Sequence, residues 1–218
     1  MTTRGEQTRE RLLDVAEQLL STRSIDGVSL REIRIAAGQR NTSALQFHFG
    51  DREGLLKALS DRHGPRLQAM LVSRYDGMVD EGLEHDSRSL IEVFVRPTID
   101  YVFIGPSERA WIRILAELAA RPELDVHDFV HNTTPEAIDT GTRLLDQLEE
   151  MMPRRLGFDR LMMVTNAVLH VCADRARFED STAPGRRHMS PVDFVENVVD
   201  MALSAVFAPR RCRMDTCP

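Results

Sequence analysis

Apolar residues near the start of the chain fall at spacings of three and four, with charges between them. Leu12, Leu13, Val15, Ala16, Leu19 and Leu20 form one such stripe from Thr8 onward, which predicts an amphipathic helix ending near Ser24 and Gly27. Ser29-Leu30-Arg31-Glu32 then reads as a capping box, opening a short second helix whose apolar face is Leu30, Ile33 and Ala37 and which stops at Gly38. Asn41-Thr42 can cap a third short helix through Phe47, halted near Gly50. Asp51 caps a fourth, carrying Leu55, Leu56 and Leu59, with an interruption expected at Gly64-Pro65. Further helical segments fit 66–83, 87–104, 107–121, 135–151, 158–178 and 191–207, with Pro106, Pro135 and Pro191 where a first helical residue belongs and Pro97 as a kink. No stretch sustains period-two alternation, so the fold class is all-α. Residues 179–190 read as a surface loop and 209–218 as a disordered tail.

Composition narrows the class without deciding it. The 218 residues are 42% hydrophobic and 28% charged, which is ordinary globular usage and excludes collagen-like or disordered chains. No apolar run approaches a membrane span, and the polar start MTTRGEQTRERLL lacks the apolar core of a secretory leader, so a soluble, cytoplasmic protein with no membrane partner is expected. Cys172, Cys212 and Cys217 form no disulfide framework, which suits a reducing compartment.

Charge changes the picture once it is divided along the chain. The formal net charge of −6 argues against a nucleic-acid partner, yet the first 63 residues carry ten Lys and Arg against nine Asp and Glu, and the remainder eighteen against twenty-five. The acidity belongs to the larger part. A near-neutral head can hold phosphates if its cations share a face.

Two short helices joined by a tight glycine-containing turn need the first and fourth helices for a core, and together these make a helix-turn-helix. Its second helix must be polar where it meets the major groove, and Arg40, Asn41, Thr42, Ser43 and Gln46 supply that polarity. Asn41 and Gln46 are chemically suited to adenine and Arg40 to guanine. Ala44, Leu45, Phe47 and Phe49 are the apolar atoms available to hold the helix down; periodicity leaves open which of Leu45 and Phe47 faces the core.

The run SLREIRIAAGQRNTSALQFHFGDREGLLKAL resembles the DNA-binding domain of TetR-family transcriptional regulators. The matching features are the capped SLREI helix, Ala37-Gly38 at the turn, Phe47-His48-Phe49 closing the third helix, and the DREGLL start of the fourth. The resemblance implies that His48 and the position of Phe47 lie against the DNA backbone, that Arg52 reaches a phosphate, and that Ser29 adds a further phosphate contact. This chain departs from the pattern in a turn one residue longer, in Gln46 where an aromatic is frequent, and in a Phe47 without a tyrosine hydroxyl. The implied organisation is a helix-turn-helix DNA-binding domain at 1–63, an effector-binding and dimerisation domain at 64–208, and a tail at 209–218.

Helix-turn-helix proteins commonly work as pairs, so a homodimer on double-stranded DNA is expected. Leu161, Val164, Val168, Leu169 and Cys172 make one C-terminal stripe, and Val195, Val198, Val199, Ala202, Leu203 and Val206 another. The resemblance implies a four-helix dimer interface there, with Leu161, Val168, Val195, Val199 and Leu203 as its contacts; the same stripes read equally as core within one chain. Phe94, Tyr101 and Trp111 are candidates for a pocket holding a small, largely apolar effector, and an aromatic stripe at helical spacing is also what a packed core looks like. His127 and His131, four apart with Asp125 and Asp128 nearby, suit a helix face that binds metal or a solvated edge, and no metal site is assigned to them. No phosphate loop, nucleophile elbow, HExxH or ExxH pairing is present, so the reading is a ligand-responsive regulator, a repressor in the usual mode of the resembled family, with no enzyme activity and no cofactor. The competing readings are a helical enzyme or a ligand-binding module using the C-terminal cavity.

Overall fold

The computed structural model describes residues 4–121, 134–181 and 189–209, with only the backbone at Arg154. The described residues are helical and contain no strand. The helices are α1 (Arg4–Arg23), α2 (Leu30–Ala36), α3 (Ala44–Phe49), α4 (Arg52–Asp80), α5 (Ser87–Tyr101), α6 (Pro106–Ala119), α7 (Pro135–Met151), α8 (Arg154–Glu179) and α9 (Pro191–Val206). No helix among them is long and apolar enough to cross a membrane.

Helix starts follow their local chemistry. The Glu32 amide donates to Ser29 Oγ at 3.2 Å while the Ser29 amide donates to Glu32 Oε2 at 2.8 Å, closing the capping box reciprocally. These bonds hold the Glu32 carboxyl at about 2, well below the ordinary range, led by the Ser29 amide. Asp51 Oδ1 accepts the Gly54 amide at 2.9 Å, and Pro106, Pro135 and Pro191 open α6, α7 and α9.

Two expectations about helix ends are corrected. Asn41-Thr42 does not cap α3; Asn41 Oδ1 accepts the Ser43 amide at 3.0 Å in a local turn, which moves the start to Ala44 and the end to Phe49. The expected interruption at Gly64-Pro65 is absent, since α4 runs unbroken through both. A proline inside a helix removes one amide and crowds the preceding turn at a cost of about 3 kcal/mol. Here Leu59, His63 and Gln68 on either side of it are all buried, so packing on both flanks outweighs that local penalty.

The buried side chains form one contiguous cluster. At one end Leu12, Leu13, Ala16 and Leu20 of α1 pack with Ile25, Val28, Ile33, Leu45, Leu55 and Leu59. Beyond them α5 packs on α4 and α9, and α6 packs on α1 and α8. The C-terminal stripes belong to this core. Leu161, Val168, Val195 and Val199 are buried inside the chain, which makes these four core, not interface, and Leu203 is half-buried against them. Each faces α5, α6 or its neighbouring helix because a 3.6-residue period brings only one stripe of each helix inward.

Candidate nucleic-acid interface

The turn before α3 is built by backbone and one guanidinium. Gly38 adopts φ +70°, a left-handed conformation that favours glycine, and the Gly38 and Gln39 amides donate to the Ile35 and Arg34 carbonyls at 2.9 and 3.0 Å. Arg34 Nη1 donates to the Gln39 carbonyl at 2.7 Å and closes the turn from outside. At the other end of α3, Gly54 lies so near the Phe49 carbonyl that a Cβ there would stand 1.9 Å from its oxygen. The end of α3 is therefore seated on the first turn of α4.

Between these fixtures α3 presents two faces. Ala44, Leu45 and Phe49 are buried, and Arg9 lies over the Phe49 ring at 5.4 Å. Asn41, Thr42, Ser43, Gln46 and Phe47 are exposed and His48 is half-buried. The choice between Leu45 and Phe47 is thereby settled: Leu45 is core, and Phe47 is 83% exposed. Its ring stands edge-on to His48, centroids 5.0 Å apart and planes at 82°.

The cations around this edge divide into tied and free. Lys57 pairs with Asp61 at 3.0 Å, Arg23 with Glu32 at 3.0 Å, and Arg62 with Glu10 and Asp14 at 2.6 and 2.8 Å. Arg52, expected at a phosphate, is turned inward: its Nη1 donates to the Ile25 carbonyl and its Nη2 to the Val28 carbonyl at 2.7 Å. Its fork caps two carbonyls of the loop between α1 and α2. Arg40 is exposed and makes no ion pair with a described residue, and the same holds for Arg31 and Arg11, neither singled out by the sequence. Arg11 lies over the turn, its Nη2 3.7 Å from where a Gly38 Cβ would stand. Its place as the eighth residue of α1, just ahead of Leu12 in an ordinary amphipathic helix, gave no signal; only the fold brings α1 beside the turn. Ser29 is exposed, with its hydroxyl engaged by Glu32 in the capping box.

Behind the helix-turn-helix lies a buried polar cluster that no motif announces. Glu17 of α1, His63 of α4, Tyr101 of α5 and Trp111 of α6 are all nearly inaccessible. His63 Nε2 stands 2.8 Å from Glu17 Oε2 and Nδ1 stands 2.8 Å from the Tyr101 hydroxyl; Ser107 Oγ donates to Glu17 Oε1 at 2.5 Å. Burial alone would raise the Glu17 pKa, but the bonds from His63 and Ser107, with His63 and Arg62 close by, hold it below its ordinary value of 4.5. The two ring nitrogens of His63 thus bridge Glu17 and Tyr101, whereas the indole Nε1 of Trp111, buried beside them, has no hydrogen-bond partner among the described residues. The His63 ring lies flat on Trp111, centroids 5.3 Å apart and planes at 6°. A second tie joins the same parts: the Ile25 amide donates to both Glu117 oxygens at 2.8 and 3.0 Å, and Arg121 pairs with Asp26 at 2.7 Å.

Tyr101 and Trp111, expected to wall an effector pocket, are thus packed into this cluster, and Phe94 is half-buried against the core. Aromatic side chains of this size are drawn into contact wherever neighbouring helices converge. Two open grooves lie elsewhere. One of about 550 Å³ runs along α4 and α7 past Gln68, Val72, Ser73 and Asp76; the other, of about 420 Å³, is lined by Leu145, Leu148, Glu149, Arg155 and Phe158. His127 and His131 lie outside the described residues, as do Asp125, Asp128, Cys212 and Cys217.

No protein-family model matches the chain, and no curated protein sequence matches it. Solved structures do. HlyIIR, a hemolysin II transcriptional regulator, is 15% identical with a TM-score of 0.54, covering 90% of this chain and 97% of its own. NalD of Pseudomonas aeruginosa, the secondary repressor of the MexAB-OprM multidrug efflux pump, is 20% identical with a TM-score of 0.50, covering 92% and 96%. A protein of Mesorhizobium loti MAFF303099 described as a TetR-family transcriptional regulator is 16% identical with a TM-score of 0.50, covering 95% and 98%. Matched over nearly its whole length, the chain has the all-helical fold of the TetR-family regulators.

Proposed function

We propose that this protein is a ligand-responsive, DNA-binding transcriptional regulator, a repressor that grips a pseudo-palindromic operator as a homodimer and is released by a small, largely apolar effector. Residues 1–63 are its DNA-binding part and 64–208 its effector-binding and dimerisation part, with the boundary inside α4. The observation that carries the reading is the two-faced α3: a helix of six residues held down by Ala44, Leu45 and Phe49 leaves its polar edge and one phenyl ring in solvent. A major groove accepts a helix presented in this way. Arg40 and Arg31, exposed and without carboxylate partners among the described residues, supply the phosphate contacts that Arg52 does not. The fold shared with NalD, a repressor, supports repression, and the reading assigns no catalytic role.

The dimer face is the outer side of α8 and α9. Met163, His170 and Val171 on α8 and Met201, Ser204 and Ala205 on α9 are exposed on helices whose other faces are core. For the effector, the groove at Leu145, Leu148 and Phe158 offers the apolar lining that Tyr101 and Trp111 do not.

Mobility shift on sheared genomic DNA at two salt concentrations tests the reading. The wild type retards DNA at low salt and releases it steeply as salt rises. The double variant Arg31→Ala, Arg40→Ala binds all sequences more weakly, with a log–log salt slope smaller by about four, two contacts being lost from each protomer of the dimer. Absence of any retardation at low salt removes the proposal.

A further inference from the structure

Phe47 is the α3 residue that phosphate chemistry does not account for. At 83% it is the most exposed large apolar side chain among the described residues, whereas Leu45 and Phe49 on the same helix are buried. The exposure is built in. The Phe47 amide donates to the Ser43 carbonyl at 2.8 Å, so the ring projects one turn beyond Ser43, on the edge that also carries Gln46. The edge-on contact with His48 restricts the ring in that position.

A phenyl ring has no donor or acceptor, so it contributes nothing to a phosphate oxygen or to the polar edge of a base. In the major groove the one apolar feature a base displays is the 5-methyl group of thymine. Gln46, adjacent and also exposed, carries the amide whose two ends match adenine. A phenyl and a carboxamide side by side on one exposed edge are complementary to a thymine and an adenine in neighbouring pairs.

We infer that Phe47 is a specificity-determining residue that reads thymine in the operator through its 5-methyl group, beside an adenine read by Gln46. The inference rests on the DNA-binding reading proposed above and deepens it. It sets Phe47 against a base edge, whereas a tyrosine hydroxyl at that position would serve the backbone.

The test uses the full-length protein and the duplexes it retains from a pool of genomic fragments. In a retained duplex each thymine is replaced in turn by uracil, which removes the methyl group and leaves the hydrogen-bonding edge intact. Wild-type affinity falls about three- to tenfold for uracil at one or two positions in each half-site. Phe47→Ala, which leaves the core untouched, binds the thymine duplex more weakly by a similar factor and no longer distinguishes uracil at those positions. Uracil without effect on the wild type at every position overturns the inference, placing the ring against sugar instead. A uracil effect that persists undiminished in Phe47→Ala overturns it equally. If the wild type retains no duplex at all, the DNA-binding reading itself fails, and that outcome is visible before any uracil is introduced.

Discussion

Glu17 is a carboxylate almost without solvent that stays ionised because His63 and Ser107 donate to it and Arg62 lies 3.4 Å away. Its pKa is lowered on folding, so its contribution to stability is present above the unfolded value near 4.5 and lost as pH falls through the folded value. Glu17→Gln is therefore expected to destabilise the protein at pH 7, by about 1–3 kcal/mol for a buried hydrogen-bonded charge, and the deficit should shrink as pH drops below about 4.5. Urea unfolding of both proteins at pH 7 and pH 4 checks this; a deficit independent of pH would show that Glu17 is not the ionised partner. Nothing in the sequence pointed to this residue. Glu17 and His63 are 46 positions apart on helices whose periodicity records only which residues are apolar, and a glutamate amid leucines reads as a solvated charge. Ser29 and Glu32, three apart in one helix start, were legible for the opposite reason: their chemistry is local.

Among the elements, α4 is where local rules and packing disagree. Gly64-Pro65 reads as a break, yet the helix continues for 29 residues, about 43 Å at 1.5 Å per residue. Gly64 has ordinary helical geometry, and a Cβ on it would meet nothing nearer than Gln68 Nε2 at 3.7 Å. Gly64→Ala should thus stabilise the protein by about 0.5–1 kcal/mol, read as a raised midpoint in urea, and a lowered midpoint would mean that the helix needs flexibility there. The prolines opening α6, α7 and α9 were readable because proline at a first helical position breaks no bond. The start of α3 was not, because Asn41, Thr42 and Ser43 are all competent caps and the choice lies in the turn that precedes them.

In the molecule as a whole, the distinction that sequence left open was between core and interface. The stripes on α8 and α9 were correctly read as apolar, but a stripe does not say whether the surface it covers belongs to the same chain or to another. The structure gives Val199 to the core and leaves Met201, two residues on, 67% exposed. Met201→Arg should leave helicity intact and shift sedimentation from dimer to monomer, while Val199→Arg should lose helical signal altogether. A Met201→Arg protein that sediments as the wild type does would move the interface off this face. The same molecule also carries its own reporter. Trp111 is the sole tryptophan of the chain, and it lies flat against the imidazole that joins α1, α4 and α5. Its emission thus arises at a junction between the helix-turn-helix end and the helices behind it, and a rearrangement of that junction registers as a change in intensity or colour without a label being attached.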